Sequence, residues 1–173
     1  LNTFSSVYDF KNEMDAQISQ TLSVNALTTL SDVVDSAEAN KTFYKKKSEK
    51  PGVIVYYTDG YENVTTDNFT SENFTDTYSK KTLSSNTKVA SSDPAYKRIN
   101  SESWNIILPI SNTMVKQLDA DNPYIKICFC KDDYSLTVPY TLVKKAGTYY
   151  LNLSLKTAMV RYVNDRFVDV ELV

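Results

Sequence analysis

The hydrophobic period of this chain changes along its length, and that change divides it into a helical part and a β part. Residues 6–39 contain neither Gly nor Pro, and their apolar positions recur at helical spacing. Val7, Met14, Ile18 and Leu22 form one stripe, and Val24, Leu27, Leu30, Val34 and Ala37 form another. Ser6 followed by Asp9 resembles a capping box at the start. The pattern predicts two helices with a break near residues 20–25, or one longer helix, since Ser19, Ser23 and Asn25 weaken a helix without forbidding it. From residue 95 onward the period is two. Residues 95–99, 104–110, 124–130, 135–143, 148–155 and 167–173 read as strands. Lys144-Lys145-Ala146-Gly147 predicts a hairpin. Ser111 can cap a short helix through Leu118, and Thr157 can start a turn through Tyr162. Pro109 and Pro139 lie inside predicted strands and mark edges, bulges or strand ends. The class is mainly β with an N-terminal helical segment (α+β), built on a small barrel or sandwich.

Residues 40–50 are polar and lysine-rich and read as a connector ending at Pro51. Residues 53–57 are β-branched and aromatic, as a half-buried strand requires, and Asp59-Gly60 then tolerates the positive φ of a tight turn. The polar stretch 63–92 carries Phe69, Phe74 and Tyr78, which are expected to pin a long loop or short helix onto the body.

Composition excludes several chemistries. The chain has 173 residues, room for one compact domain or a modest β-domain with a helical appendage, and needs neither disulfides nor metals to hold a core. Its formal net charge is -2, and its basic residues are dispersed except at Lys45-Lys46-Lys47, so nucleic acid is not an expected partner. There is no histidine, which removes Ser-His-Asp and Cys-His catalysis and the commonest transition-metal ligand. Cys128 and Cys130 would share a face of one strand, and they read as buried small hydrophobes in place of a disulfide or metal site. No run reaches the roughly eighteen apolar residues of a membrane span. The chain begins at Leu1, as an excised fragment or processed product would. Abundant Asn, Ser, Thr and Tyr fit an extracytoplasmic bacterial protein. The sequons at Asn40, Asn63, Asn68, Asn73 and Asn152 would suit a glycosylated secreted domain, and chance explains them equally in so Asn- and Thr-rich a chain.

Asp119-Ala120-Asp121-Asn122 and Lys131-Asp132-Asp133 lack the glycine of a calcium loop and read as turns. Arg161, Asp165, Arg166 and Asp169 can form an ion-pair network fixing the last strand against the preceding turn. Trp104 is the expected core anchor. Thirteen tyrosines offer contact area with a polar tip. Tyr56 and Tyr57 must face opposite ways on a regular strand. Tyr57, Asp59 and Tyr61 are the candidate partner-contact residues; no catalytic, metal or cofactor residues are assigned.

Five stretches stand in a telling order. The helical segment is followed by Pro51-Gly52-Val53-Ile54-Val55-Tyr56-Tyr57-Thr58-Asp59-Gly60-Tyr61-Glu62, then Asp93-Pro94-Ala95-Tyr96-Lys97-Arg98-Ile99, then Ser103-Trp104-Asn105-Ile106-Ile107-Leu108-Pro109-Ile110. The last is Met159-Val160-Arg161-Tyr162-Val163-Asn164-Asp165-Arg166-Phe167-Val168-Asp169-Val170-Glu171-Leu172. Across nearly the whole chain this set resembles the HlyD-like membrane-fusion proteins, periplasmic adaptor subunits of the divergent Gram-positive (Firmicutes) type. The resemblance implies residues 1–40 as part of a helical hairpin, 51–110 as a lipoyl-like β-region with the long polar loop 63–92, and 111–173 as a β-barrel-like region. It implies a non-enzymatic, extracytoplasmic adaptor in a membrane-anchored export or envelope assembly, anchored through a segment absent from this chain. An ABC-type transporter and self-association are the implied partners. A surface carbohydrate or cell-wall binding module is the alternative. No covalent cofactor is expected, because the tip Thr58-Asp59-Gly60 has no lysine to carry one.

Overall fold

The computed structural model describes residues 14, 17–18, 21–22, 24–26, 28–44, 47–74, 79–83 and 90–173. The chain forms two units, one of residues 1–51 with 83–93 and one of residues 52–82 with 94–173.

In the first unit every described residue from 14 to 29 is helical, and helix α1 (Ser31–Ala39) follows. The break expected near residues 20–25 is absent from the described residues there; the irregular position is Leu30, at φ -102° and ψ 32°. The described residues fit the other expectation, one longer helix. Within it the hydroxyls of Thr21, Thr28 and Thr29 donate to the carbonyls of Gln17, Val24 and Asn25, four residues back. The chain leaves α1 with Lys41 at φ 58°, and the Thr42 and Phe43 amides both donate to the Ala37 carbonyl. Val34 is the one buried apolar side chain described on α1, while Met14, Ile18 and Leu22 are exposed. The Ser6–Asp9 capping box, Val7, Leu27, Lys45, Lys46 and Tyr78 lie outside the described residues. No helix among the described residues is long and apolar enough to cross a membrane.

The second unit is mainly β. Its strands are β1 (Val53–Val55), β2 (Tyr57–Thr58), β3 (Lys81–Thr82), β4 (Lys97–Ile99), β5 (Trp104–Ile110), β6 (Tyr124–Phe129), β7 (Tyr134–Lys145), β8 (Thr148–Leu155) and β9 (Val170–Leu172). Two short helices are α2 (Asn112–Val115) and α3 (Met159–Tyr162). Ser111 caps α2 as expected, its side chain accepting from the Met114 amide at 3.2 Å. The single strand expected over 53–57 is divided at Tyr56, because β1 pairs antiparallel with β4 and β2 with β3. Changing partners there leaves Tyr57 buried and Tyr56 exposed.

The other five strands form a curled, half-barrel sheet in the order β5-β8-β7-β6-β9. β7 makes the curl. Its first half, through Pro139, pairs with β6, and from Tyr140 it pairs with β8 on the other side. Pro139, which has no N–H to donate, sits at that exchange, and Pro109 lies on the edge strand β5. Ala146 and Gly147, at φ 47° and 85°, turn β7 into β8 as the twist of a hairpin prefers. β5, assigned by the family plan to the lipoyl-like region, pairs with β8 along its whole length.

Alternation sets the core. Leu151, Leu153 and Leu155 of β8 face Leu108, Ile106 and Trp104 of β5, and Ile127 and Phe129 of β6 join them with Val138 of β7. Tyr162 of α3 stacks on Phe129 at 4.1 Å between ring centres, closing the concave face. Trp104 is only half-buried, held by its indole N–H donating to the Thr157 carbonyl at 2.9 Å. Because Ile127 and Phe129 take the inner face, the cysteines fall on the outer one. Cys128 is half-buried and Cys130 exposed, so the expectation of buried small hydrophobes is corrected.

Candidate functional site

Asp59 follows β2 at the mouth of a turn that Gly60 makes possible with φ 79°. Its carboxylate is completely enclosed, and Arg166 grips both oxygens, Nε to Oδ2 at 2.8 Å and Nη2 to Oδ1 at 2.9 Å. The Tyr61 amide donates to Oδ1 at 3.1 Å, and the Asp59 amide donates to Glu62 Oε1 at 3.0 Å. Burial would raise the Asp59 pKa. The Arg166 and Tyr61 hydrogen bonds, with the charges of Arg166 and Lys97, outweigh it and hold the carboxyl below its ordinary value. Burial disfavours the Arg166 cation, yet its bond to Asp59 raises its pKa further.

Tyr57 is built in beside this pair. The Lys80 and Lys97 ammonium groups lie 4.2 and 4.1 Å from its ring centre, and its hydroxyl donates to the Val163 carbonyl. Lys97 also pairs with Glu62 at 3.4 Å, and Lys80 donates to the Asn164 carbonyl at 3.0 Å. The three candidate contact residues are therefore neighbours, but Tyr57 and Asp59 are buried and engaged within the chain; only Tyr61 is half-exposed. Tyr61 meets Phe167 edge-on at 6.3 Å and lies under Arg166 at 5.3 Å.

The four charged residues expected to form a network near the C-terminus reach outward instead. Arg166 binds Asp59, Asp165 pairs with Lys131 at 2.8 Å, and Arg161 pairs with Asp132 at 2.6 Å. Asp132 also accepts the Tyr162 hydroxyl at 2.8 Å; burial and this bond push Tyr162 up to about 12. The Asp169 backbone carbonyl accepts the Cys130 amide. The 131–133 and 119–122 clusters are turns, as their composition predicts, with Asp133 at φ 53°. Among the described residues no group of three or more His, Cys, Asp or Glu could hold a metal ion.

Phe69 and Phe74 pin the polar loop, packing on Tyr150 of β8 at 5.0 and 5.3 Å, with Lys145 donating to the Asp67 carbonyl at 2.6 Å. Between this loop, β4, β5 and the segment after α3 lies a cleft of about 780 Å³, walled by Tyr61, Trp104, Tyr162 and Phe167. Sequence reasoning selected Tyr57, Asp59 and Tyr61 but not Arg166, Lys97 or Lys80 as their partners. The only local signal was Arg166, one of the two arginines of the 159–172 stretch. No protein-family model matches the chain, and no curated protein or solved structure matches it significantly.

Proposed function

We propose that this chain is the extracytoplasmic part of a non-enzymatic, HlyD-like adaptor that scaffolds a membrane-anchored export or envelope assembly. One observation carries the reading. Residues 51–62 and 159–172, two of the stretches that carry the resemblance, meet at the buried Asp59–Arg166 pair although they are far apart in sequence. A likeness confined to local composition would give no reason for its two ends to be locked together. In this reading the ladders β1–β4 and β2–β3 are the lipoyl-like remnant, the half-barrel is the barrel-like region, and residues 1–40 contribute to the helical hairpin. The adaptor works by protein contacts. Its parent is held at the membrane by a segment outside this chain, and it engages an ABC-type transporter and further copies of itself.

The test is affinity isolation of the full-length membrane protein from its native membrane, followed by mass spectrometry of what accompanies it. Recovery of a transporter in stoichiometric amount is the expected result. Repeated recovery of the protein without any membrane transporter would reject the adaptor reading.

A further inference from the structure

The 780 Å³ cleft lies within the range of about 300–1,000 Å³ that small-molecule sites occupy. Its charges decide what class of molecule can enter. The charged side chains on its wall are Glu62, Lys97, Asp165 and Arg166, two of each sign. Lys97 pairs with Glu62, Arg166 with Asp59 and Asp165 with Lys131, so an ionic ligand would have to compete with an ion pair already made. The other polar side chains of the wall are neutral, among them the hydroxyls of Thr65, Thr66, Ser101 and Ser103; the amides of Asn73 and Asn105 also lie there, Asn73 accepting the Thr70 amide and Asn105 donating to Asn152 and Ser154. Aromatic rings supply much of the apolar wall. Phe167 is 42% exposed at the cleft, and Tyr61 and Trp104 are half-exposed.

We infer that this cleft is a binding site for a short, neutral saccharide, its pyranose rings lying against Phe167, Tyr61 and Trp104 and its hydroxyls meeting the neutral hydroxyl and amide groups. Such a ligand presents apolar C–H faces to aromatic rings and needs many weak polar partners without a charge. An apolar ligand would leave those hydroxyls and amides without water, and an anion or cation would find no unmatched charge. This site stands independently of the adaptor assignment. An adaptor with such a cleft would also touch wall glycan.

Trp104, the only tryptophan, lines the cleft and reports on occupancy. The 173-residue chain is titrated with cellotetraose, chitotetraose and the anionic tetragalacturonate while Trp104 fluorescence is followed. Saturable change with at least one neutral tetrasaccharide is expected, and tetragalacturonate should bind more weakly. Phe167→Ala, which removes an exposed ring, should weaken binding about five- to tenfold. Ser103→Arg fills the cleft from an exposed position and should abolish binding. Circular dichroism verifies that both variants fold. The inference fails if neither neutral sugar gives a saturable change at millimolar concentration, if both variants bind like wild type, or if tetragalacturonate binds as tightly. Transporter recovery is measured on a separate preparation. Its loss would reject the adaptor reading alone, and absent sugar binding would reject the cleft assignment alone.

Discussion

Asp59 is a carboxylate without access to water, and its charge is tolerable only because Arg166 supplies two donors in a fork. Removing one partner therefore leaves the other charge uncompensated, and the two losses overlap. Asp59→Ala is expected to lower stability by about 3 kcal/mol, the low end for a broken buried pair, because Arg166 is partly exposed and can recover some hydration. Urea unfolding measures this, and Asp59→Ala with Arg166→Ala should cost less than the sum of the two single losses. The pair also fixes a pH dependence. The Asp59 pKa is depressed in the folded state, so its stabilisation is present above the unfolded pKa of about 3.9 and is lost as pH falls through the lower folded value. Asn carries no such titration. The stability gap between wild type and Asp59→Asn should be widest near neutral pH and narrow below about pH 4. A constant gap across that range would show that the charge of Asp59 is not what Arg166 recognises.

Strands and helices differ in how much of themselves they disclose locally. Residues 104–110 and 148–155 are strands over the limits their sequence indicates, because every second residue enters one core and a slip by one would expose it. The 53–57 run satisfies the same propensities yet is divided. What divides it is a change of partner, from β4 to β3, and the partners lie about 25 to 45 residues away where local propensity cannot register them. Near residues 20–25 the described residues follow the longer-helix alternative, with threonine hydroxyls bonded to carbonyls of the helix itself. Two glycines in the 51–62 stretch test the element directly. A Cβ on Gly52 would stand 2.5 Å from the Ile99 carbonyl oxygen, a backbone atom of the partner strand, while one on Gly60 would meet nothing within 4 Å. Gly52→Ala should therefore pry β1 from β4 and cost about 1–3 kcal/mol by overpacking. Gly60→Ala should cost about 1–2 kcal/mol, from left-handed backbone strain alone. Amide exchange at Val55 and Lys97 separates the two, rising in the Gly52 variant and staying near wild type in the Gly60 variant.

Across the whole molecule, the β class, the hairpin and much of the core were legible from period two. The site was legible only in part, since Tyr57, Asp59 and Tyr61 advertise themselves by type while their partners are distributed over residues 80, 97 and 166. Those partners make Asp59–Arg166 a contact spanning 107 positions of chain. A chain ending at residue 165 would lose Arg166 and β9 together, exposing Ile127 and Phe129 along the β6 edge. Such a truncation is expected to lose cooperative thermal unfolding of the second unit, and an intact transition in calorimetry would contradict that. The same contact sets an order in time. A ribosome releases this chain from its N-terminus, so Asp59 emerges long before the arginine that neutralises it. Until those 107 further positions are made the turn after β2 must wait, solvated and unlocked, and the arginine that arrives with them is what shuts it.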